Sequence, residues 1–232
     1  MSGGFPPGFF DRADSTDDAV FYLPPRLVTH IDGGAVAAVG ALYAELGLGP
    51  RVLDLCSSWV SHFTTPPPAL TVLGMNAAEL ARNPAATDRV VQDLNADPVL
   101  PFGDDSFDDA VCCVSVDYLT RPVEVFAEVA RVLETGGRLI CSWSNRCFPT
   151  KAVRGWLATP DERRGDIVSA YFAAAGGWGQ VTQATRVAPG GHRDPLWAAW
   201  ASTELSRRGG GGRGRLEWHH RAENGTDHVG GR

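Results

Sequence analysis

Short apolar runs alternate with helical stripes along most of the chain. "RVLDL" (51–55), "TVLGM" (71–75), "RVVQDL" (89–94), "AVCCVSV" (110–116) and "GRLICSW" (137–143) lack a regular polar–apolar alternation. Strands of this kind, separated by helices, predict a parallel sheet covered on both faces. Val36, Val39, Tyr43 and Leu46 recur at helical spacing, with Asp32 as N-cap and Gly47 and Gly49-Pro50 as the stop. "PVEVFAEVARVL" (122–133) predicts a helix with Pro122 in its first turn, a stripe of Val123, Phe126, Ala130 and Leu133, and Gly136-Gly137 as its end. "DERRGDIVSAYFAAAGG" (161–177) is amphipathic, with Ile167, Val168, Tyr171, Phe172 and Ala175 on one side. "WGQVTQATRVAP" and "PLWAAWASTEL" flank the turn-like "GGHRD" and predict an antiparallel hairpin that closes the sheet edge. The expected fold class is α/β, a doubly wound, seven-stranded, mostly parallel sheet with a C-terminal antiparallel hairpin.

The ends read differently. Residues 1–20 look like a loose arm, and "FYLPPRLVTHID" (21–32) mixes aromatics with two prolines and is expected to cap something. From Ser206 the chain is low-complexity and polar, and is expected to be disordered. Its His219-His220 pair reads as chance rather than a ligand pair. The predicted division is an arm and cap (1–31), one domain (32–205) and a tail (206–232).

Composition narrows the functional classes. A chain of 232 residues with 44% hydrophobic content suits one α/β domain with a full core. A net charge of −6 with no basic stripe argues against general nucleic-acid affinity. No apolar run approaches the roughly 20 residues of a membrane span. The first residues lack a secretory pattern and are poor in basic residues, so a cytoplasmic location is expected, or an organellar one if a transit peptide is missing from this chain. The five cysteines, Cys56, Cys112, Cys113, Cys141 and Cys147, form no C-x-x-C pair. They read as reduced core thiols, and no zinc or other metal site is expected. Composition leaves the oligomeric state open.

The candidate chemistry starts at "LDLCSSWVSHF" (53–63). A strand ends in Asp54; a turn and then a helix are expected, with His62 one turn into that helix. In many nucleotide-binding folds such a turn is rich in glycine; here it has none. The wider pattern "VLDLCSSW…VLGMN…VVQDLN…LPFGDDSFDDAVCCVSVDYL…PVEVFAEVARVLETGGRLICSWSN" resembles the class I S-adenosylmethionine-dependent methyltransferases. The similarity is greatest to their type 11 branch, and within it to a plant and bacterial group. Its most specific part is "LPFGDDSFD" followed by "EVARVLETGGRLI".

The resemblance implies a Rossmann-like methyltransferase fold and S-adenosylmethionine as cofactor. It places the loop after Asp54 under the methionine part of the cofactor, with Cys56, Ser58 and Val60 where the family usually has glycine. The hydroxyls of Ser57 and Ser58 become candidate ligands; a helix N-cap is the plain alternative. Asn76 falls where the family has an acid for the ribose hydroxyls, with Met75 beside it as a further cofactor candidate; a turn asparagine is the alternative. Asp93 falls where the family's acid meets the adenine amino group, and Leu94 would pack on the ring. Val114 and Ser115 would pass the methyl group.

Topology places further residues at the carboxyl ends of strands, where doubly wound sheets bind ligands. Asp117 and Tyr118 follow the fourth strand and are the candidate catalytic residues, with Asp117 as base; a helix cap is the alternative for Asp117. Asn145 and Arg146 follow the fifth strand. His62 is a base or a structural histidine. Tyr22 and Arg26 belong to an expected N-terminal lid.

The leading expectation is an enzyme transferring methyl from S-adenosylmethionine to a small-molecule acceptor, for which in-line positioning matters more than a catalytic triad. The competing one is a non-catalytic binding or regulatory protein on the same scaffold, suggested by the three missing glycines and Asn76. A nicotinamide dehydrogenase fits the hairpin and the loop poorly.

Overall fold

Neighbouring residues of the central strands enter different cores, which is what strands buried on both faces require. In the computed structural model, which describes residues 4–204, Leu53 and Leu55 pack on one side of the sheet and Val52 on the other. Leu139 and Cys141 are likewise separated from Ile140. The strands are β1 (Arg51–Leu55), β2 (Ala69–Gly74), β3 (Asp88–Val91), β4 (Phe107–Cys113), β5 (Leu133–Trp143), β6 (Thr182–Val187) and β7 (Leu196–Ser202). They form one sheet in the order β3-β2-β1-β4-β5-β7-β6. The first five are parallel, and β7 runs antiparallel between β5 and β6. This is the doubly wound sheet with a terminal hairpin that the apolar pattern predicts.

The helices are α1 (Asp18–Phe21), α2 (Gly33–Leu46), α3 (Ala77–Leu80), α4 (Pro122–Val132), α5 (Arg154–Leu157) and α6 (Arg164–Ala175). α2 has the predicted ends: Asp32 accepts from the Ala35 amide at 2.8 Å, and Gly47 closes it at φ 59°. The buried face of α4 is Val125, Phe126, Val129 and Val132, turned from the predicted stripe of Val123, Phe126, Ala130 and Leu133. The helix ends at Val132 because Leu133 already starts β5; Gly136-Gly137 lies inside that strand. α6 buries Ile167, Val168, Tyr171 and Phe172, as expected.

Two expectations need correction. No helix follows β1: residues 56–68 cross to β2 as an irregular loop, so His62 is not helical. Pro66-Pro67-Pro68 removes three N–H donors there and disfavours helical torsions in the residue before each proline. The loop packs on α2, with Phe63 4.9 Å from Tyr43 and with Gly40 leaving room for the His62 carbonyl. The amino-terminal arm, as far as it is described, is not loose. Phe5, Phe9 and Phe10 cluster on one another, and Phe5 lies 5.4 Å from Tyr171. Gly155 makes space for Phe9, whose ring a Cβ there would strike at 2.1 Å. The predicted tail lies outside the described residues.

Candidate functional site

The arm crosses the carboxyl ends of β1, β2 and β4 and roofs a cavity of about 440 Å³. All ten residues proposed for the cofactor line it: Asp54, Cys56, Ser57, Ser58, Met75, Asn76, Asp93, Leu94, Val114 and Ser115. So do Tyr118, His62, Tyr22, Arg26, Asn145 and Arg146. The exception is Asp117. A 3-10 turn over Val116–Tyr118 leaves Tyr118 on the cavity wall and buries Asp117. The structure thus brings the predicted site together but removes its predicted base from the wall.

The loop after β1 holds its shape without glycine. Cys56 alone of the three glycine-like positions adopts a left-handed torsion, φ 52°. Ser58 and Val60 keep ordinary torsions, so glycine is not needed there for backbone reasons. Neither serine is a helix N-cap. Ser57 and Ser61 donate to Asp54 Oδ2 at 2.7 and 2.6 Å, and Ser58 donates to Glu79. Asn83 ties the loop from below, donating to the Ser58 carbonyl and to Ser61 Oγ. Burial pushes the Asp54 carboxyl up to about 6, against the pull of the two hydroxyls.

Gly74 sets how close the loop can lie. A Cβ there would stand 2.1 Å from the Ser57 carbonyl oxygen, while Ser57 N–H donates to the Leu73 carbonyl at 2.8 Å. Gly74→Ala is therefore expected to lift the loop off β2 and lower stability by about 2 kcal/mol. Urea denaturation measures this, and wild-type stability in the variant would show the loop to be yielding.

Strain marks the other side of the cavity. Val114, just past β4, has φ 45°. A β-branched residue rarely takes this conformation, and such torsions cost on the order of 1–3 kcal/mol and concentrate at functional sites. The bond from Val114 N–H to the Ser142 carbonyl, 2.8 Å, holds it in place.

Asn76 stands on the wall where the ribose is expected, but its side chain is already engaged. Oδ1 accepts from the Ala78 and Glu79 amides as the N-cap of α3, and Nδ2 donates to the Tyr22 and Leu23 carbonyls of the arm. The turn-and-cap alternative describes this arrangement. One turn on, Glu79 brings a carboxylate to the same wall, accepting from Ser58 and from the Arg26 backbone N–H at 2.6 Å. An acid three residues after an N-cap was readable in "NAAE". Asp93 uses one oxygen to accept from the Asn95 and Ala96 amides, and no described residue donates to the other.

Sequence reasoning also missed Asp18. It lines the cavity and is held by Arg12, Asn95 and Lys151. Tyr118 accepts from the Phe148 N–H at 2.8 Å, which leaves its own proton free to donate. Burial raises the Tyr22 and Tyr118 hydroxyls above their usual range, so both are donors at neutral pH. Loss of water lowers the His62 and His30 imidazoles, so both are neutral there.

Residues 56–141 match the family model of a methyltransferase domain. The sheet order and its antiparallel end are those of the Rossmann-like methyltransferase fold. The solved structures that share that fold include these two. One is a methyltransferase dependent on S-adenosylmethionine, a possible histamine N-methyltransferase, from Thermotoga maritima. It is 16% identical with a TM-score of 0.52, over 74% of this chain and 91% of that one. The other concerns conversion of a disulfide bond into a thioacetal group during echinomycin biosynthesis. It is 13% identical with a TM-score of 0.50, over 80% of this chain and 87% of that one. No curated protein matches in sequence. No helix among the described residues is long and apolar enough to cross a membrane.

The residues present suit S-adenosylmethionine. The cofactor carries a sulfonium and an ammonium charge, and Asp54, Glu79 and Asp93 put three carboxyl groups on the wall from β1 to β3. Gly74 and the left-handed Cys56 keep backbone close to the floor.

Proposed function

We propose that the chain transfers a methyl group from S-adenosylmethionine to a small-molecule acceptor. The observation that carries this is the cavity itself, which collects all ten candidate cofactor residues under one roof. Asp93 and Leu94 take the adenine, the Asn76–Glu79 turn holds the ribose, and Asp54, Ser57 and Ser58 face the methionine part. Glu79 supplies the charge that Asn76 lacks. The cofactor, when bound, supplies an electrophilic methyl group. The protein's own work is to align the acceptor near Val114, Ser115 and Tyr118 and to exclude water with residues 4–31, which act as the lid.

Calorimetric titration with S-adenosylmethionine and S-adenosylhomocysteine tests this reading. Both should bind, and Asp93→Asn should weaken them by about tenfold, the difference between a charged and a neutral acceptor. No heat at millimolar cofactor would hand the lead to a second reading, a binding or regulatory protein on this scaffold. That reading draws on the glycine-free loop and on the committed side chain of Asn76.

A further inference from the structure

Apart from Asp18 of the arm, which is paired with Arg12 and Lys151, the charged groups of the cavity are divided between its two sides. Asp54, Glu79 and Asp93, none of which has a cationic side chain as partner among the described residues, lie on the wall from β1 to β3. The cationic side chains, Arg26 and Arg146, come from the arm and from the segment after β5. Arg146 is mostly exposed and lies 3.5 Å from Asp194. Arg26 has no carboxylate at ion-pair distance among the described residues. Its guanidinium is stacked instead, 4.5 Å from the Phe21 ring centre, 5.5 Å from Phe148 and 5.7 Å from Tyr22. Two of its N–H groups reach carbonyls, Phe21 at 2.8 Å and Pro24 at 3.5 Å. The others have no protein partner among the described residues.

A guanidinium fixed by aromatic faces keeps its planar donor fork, which matches a carboxylate better than any neutral group. Its stacking limits the rotamer entropy lost on binding. An unpaired cation in a cavity attracts an anion locally, against the general repulsion from a chain of net charge −6. The neighbouring groups fit the same ligand: the aromatic side chains of Tyr22, Tyr118 and Phe148 line the cavity, and the Tyr118 hydroxyl is free to donate. We infer that Arg26 anchors a carboxylate, and that the methyl acceptor is a planar or aromatic carboxylic acid bound between the arm and the end of β5. This rests on the proposed methyltransferase function. The cofactor's methionine carboxylate is the other source of the same chemistry, and the test separates the two.

The protein is saturated with S-adenosylhomocysteine and titrated with 4-hydroxybenzoate and with 4-hydroxybenzamide, its neutral counterpart. The acid should bind at least about fivefold more tightly than the amide. Arg26→Gln should abolish that preference, and Arg26→Lys should retain part of it. A merely structural Arg26 would weaken acid and amide alike. Equal affinities in the wild type, or no binding of either at millimolar concentration, would overturn the assignment. The cofactor arm compares S-adenosylhomocysteine with methylthioadenosine, which lacks the amino-acid group. If Arg26→Gln weakens the first and spares the second, the guanidinium serves the cofactor and the acceptor assignment fails. If S-adenosylhomocysteine gives no heat with the wild type, the methyltransferase reading fails by itself. The acid–amide comparison on the bare protein then still decides Arg26.

Discussion

Lys151→Met is expected to lower stability by about 3 kcal/mol and to release the amino-terminal arm. Lys151 is the only lysine in the chain and is fully buried. Its ammonium lies 3.0 Å from Asp18 and 3.3 Å from Asp14, donates to the Thr16 carbonyl at 2.8 Å, and sits 5.3 Å over the Phe21 ring. Methionine keeps the length and apolar stem but removes every one of those bonds. Asp18 would keep Arg12 and Asn95, so the loss should fall short of that for an orphaned buried charge. Burial pushes the Asp18 carboxyl up, but Arg12, Asn95 and Lys151 more than offset this and hold it below its usual range. A depressed folded value means that the stabilisation is present above about pH 4 and is lost as acid protonates the group. Urea denaturation measures the loss. Chymotrypsin reads the arm, because the bonds after Phe21 and Tyr22 become cleavable once it lifts. Unchanged protection of these residues would show that the aromatic cluster alone holds the arm. Asp18→Asn should cost less in the variant than in the wild type, since the two sites share one interaction.

This clamp was not legible in the sequence, and the reason is distance. Lys151 meets a segment 135 positions earlier, and no local pattern announces a partner so remote. The strands were legible because burial on both faces leaves an apolar run that can be read without knowing the neighbours. β1 falls on "RVLDL" itself, and the edge strand β3, whose side chains are mostly exposed, is shorter than its apolar run suggested. The missing helix after β1 was partly readable in Pro66-Pro67-Pro68. The cofactor candidates followed from the family resemblance; apart from Asp54, which lies inside β1, each sits just past a strand end. Topology could not say which side chain of a turn faces inward. One residue of rotation in the turn after β4 separates Tyr118, on the cavity, from Asp117, in the core.

That rotation leads to the second large effect. Asp117→Asn is expected to raise stability at pH 8 by about 2–4 kcal/mol while leaving it nearly unchanged near pH 3. Asp117 is 3% exposed, and among the described residues no other side chain hydrogen-bonds or ion-pairs with it. The nearest helpful charge, Arg164, is turned toward Asp161 at 2.7 Å and stacks over Trp156. Burial therefore pushes the carboxyl up to about 7 from its ordinary 3.8, with only weak relief from its own backbone and from Arg164. At about pH 3 and below, the group is largely protonated in both folded and unfolded chains, and asparagine mimics it. Between about pH 4 and 7 the unfolded chain gives up the proton while the folded chain keeps it, so wild-type stability falls as pH rises. Above pH 7 the folded chain must carry the buried charge, and the cost levels off. The asparagine variant never meets that cost. Asp54, pushed up to about 6, titrates in the same range, but it is common to both proteins and cancels in the difference between them. Urea denaturation of the pair from pH 5 to 8 should show a gap that opens with rising pH and then stays constant. Because Asp117 does not line the cavity, affinity for S-adenosylhomocysteine should be the same in both proteins. A gap that stays flat with pH would mean the folded carboxyl ionises at its ordinary value. A loss of cofactor affinity in the variant would return Asp117 to the site from which the 3-10 turn removes it.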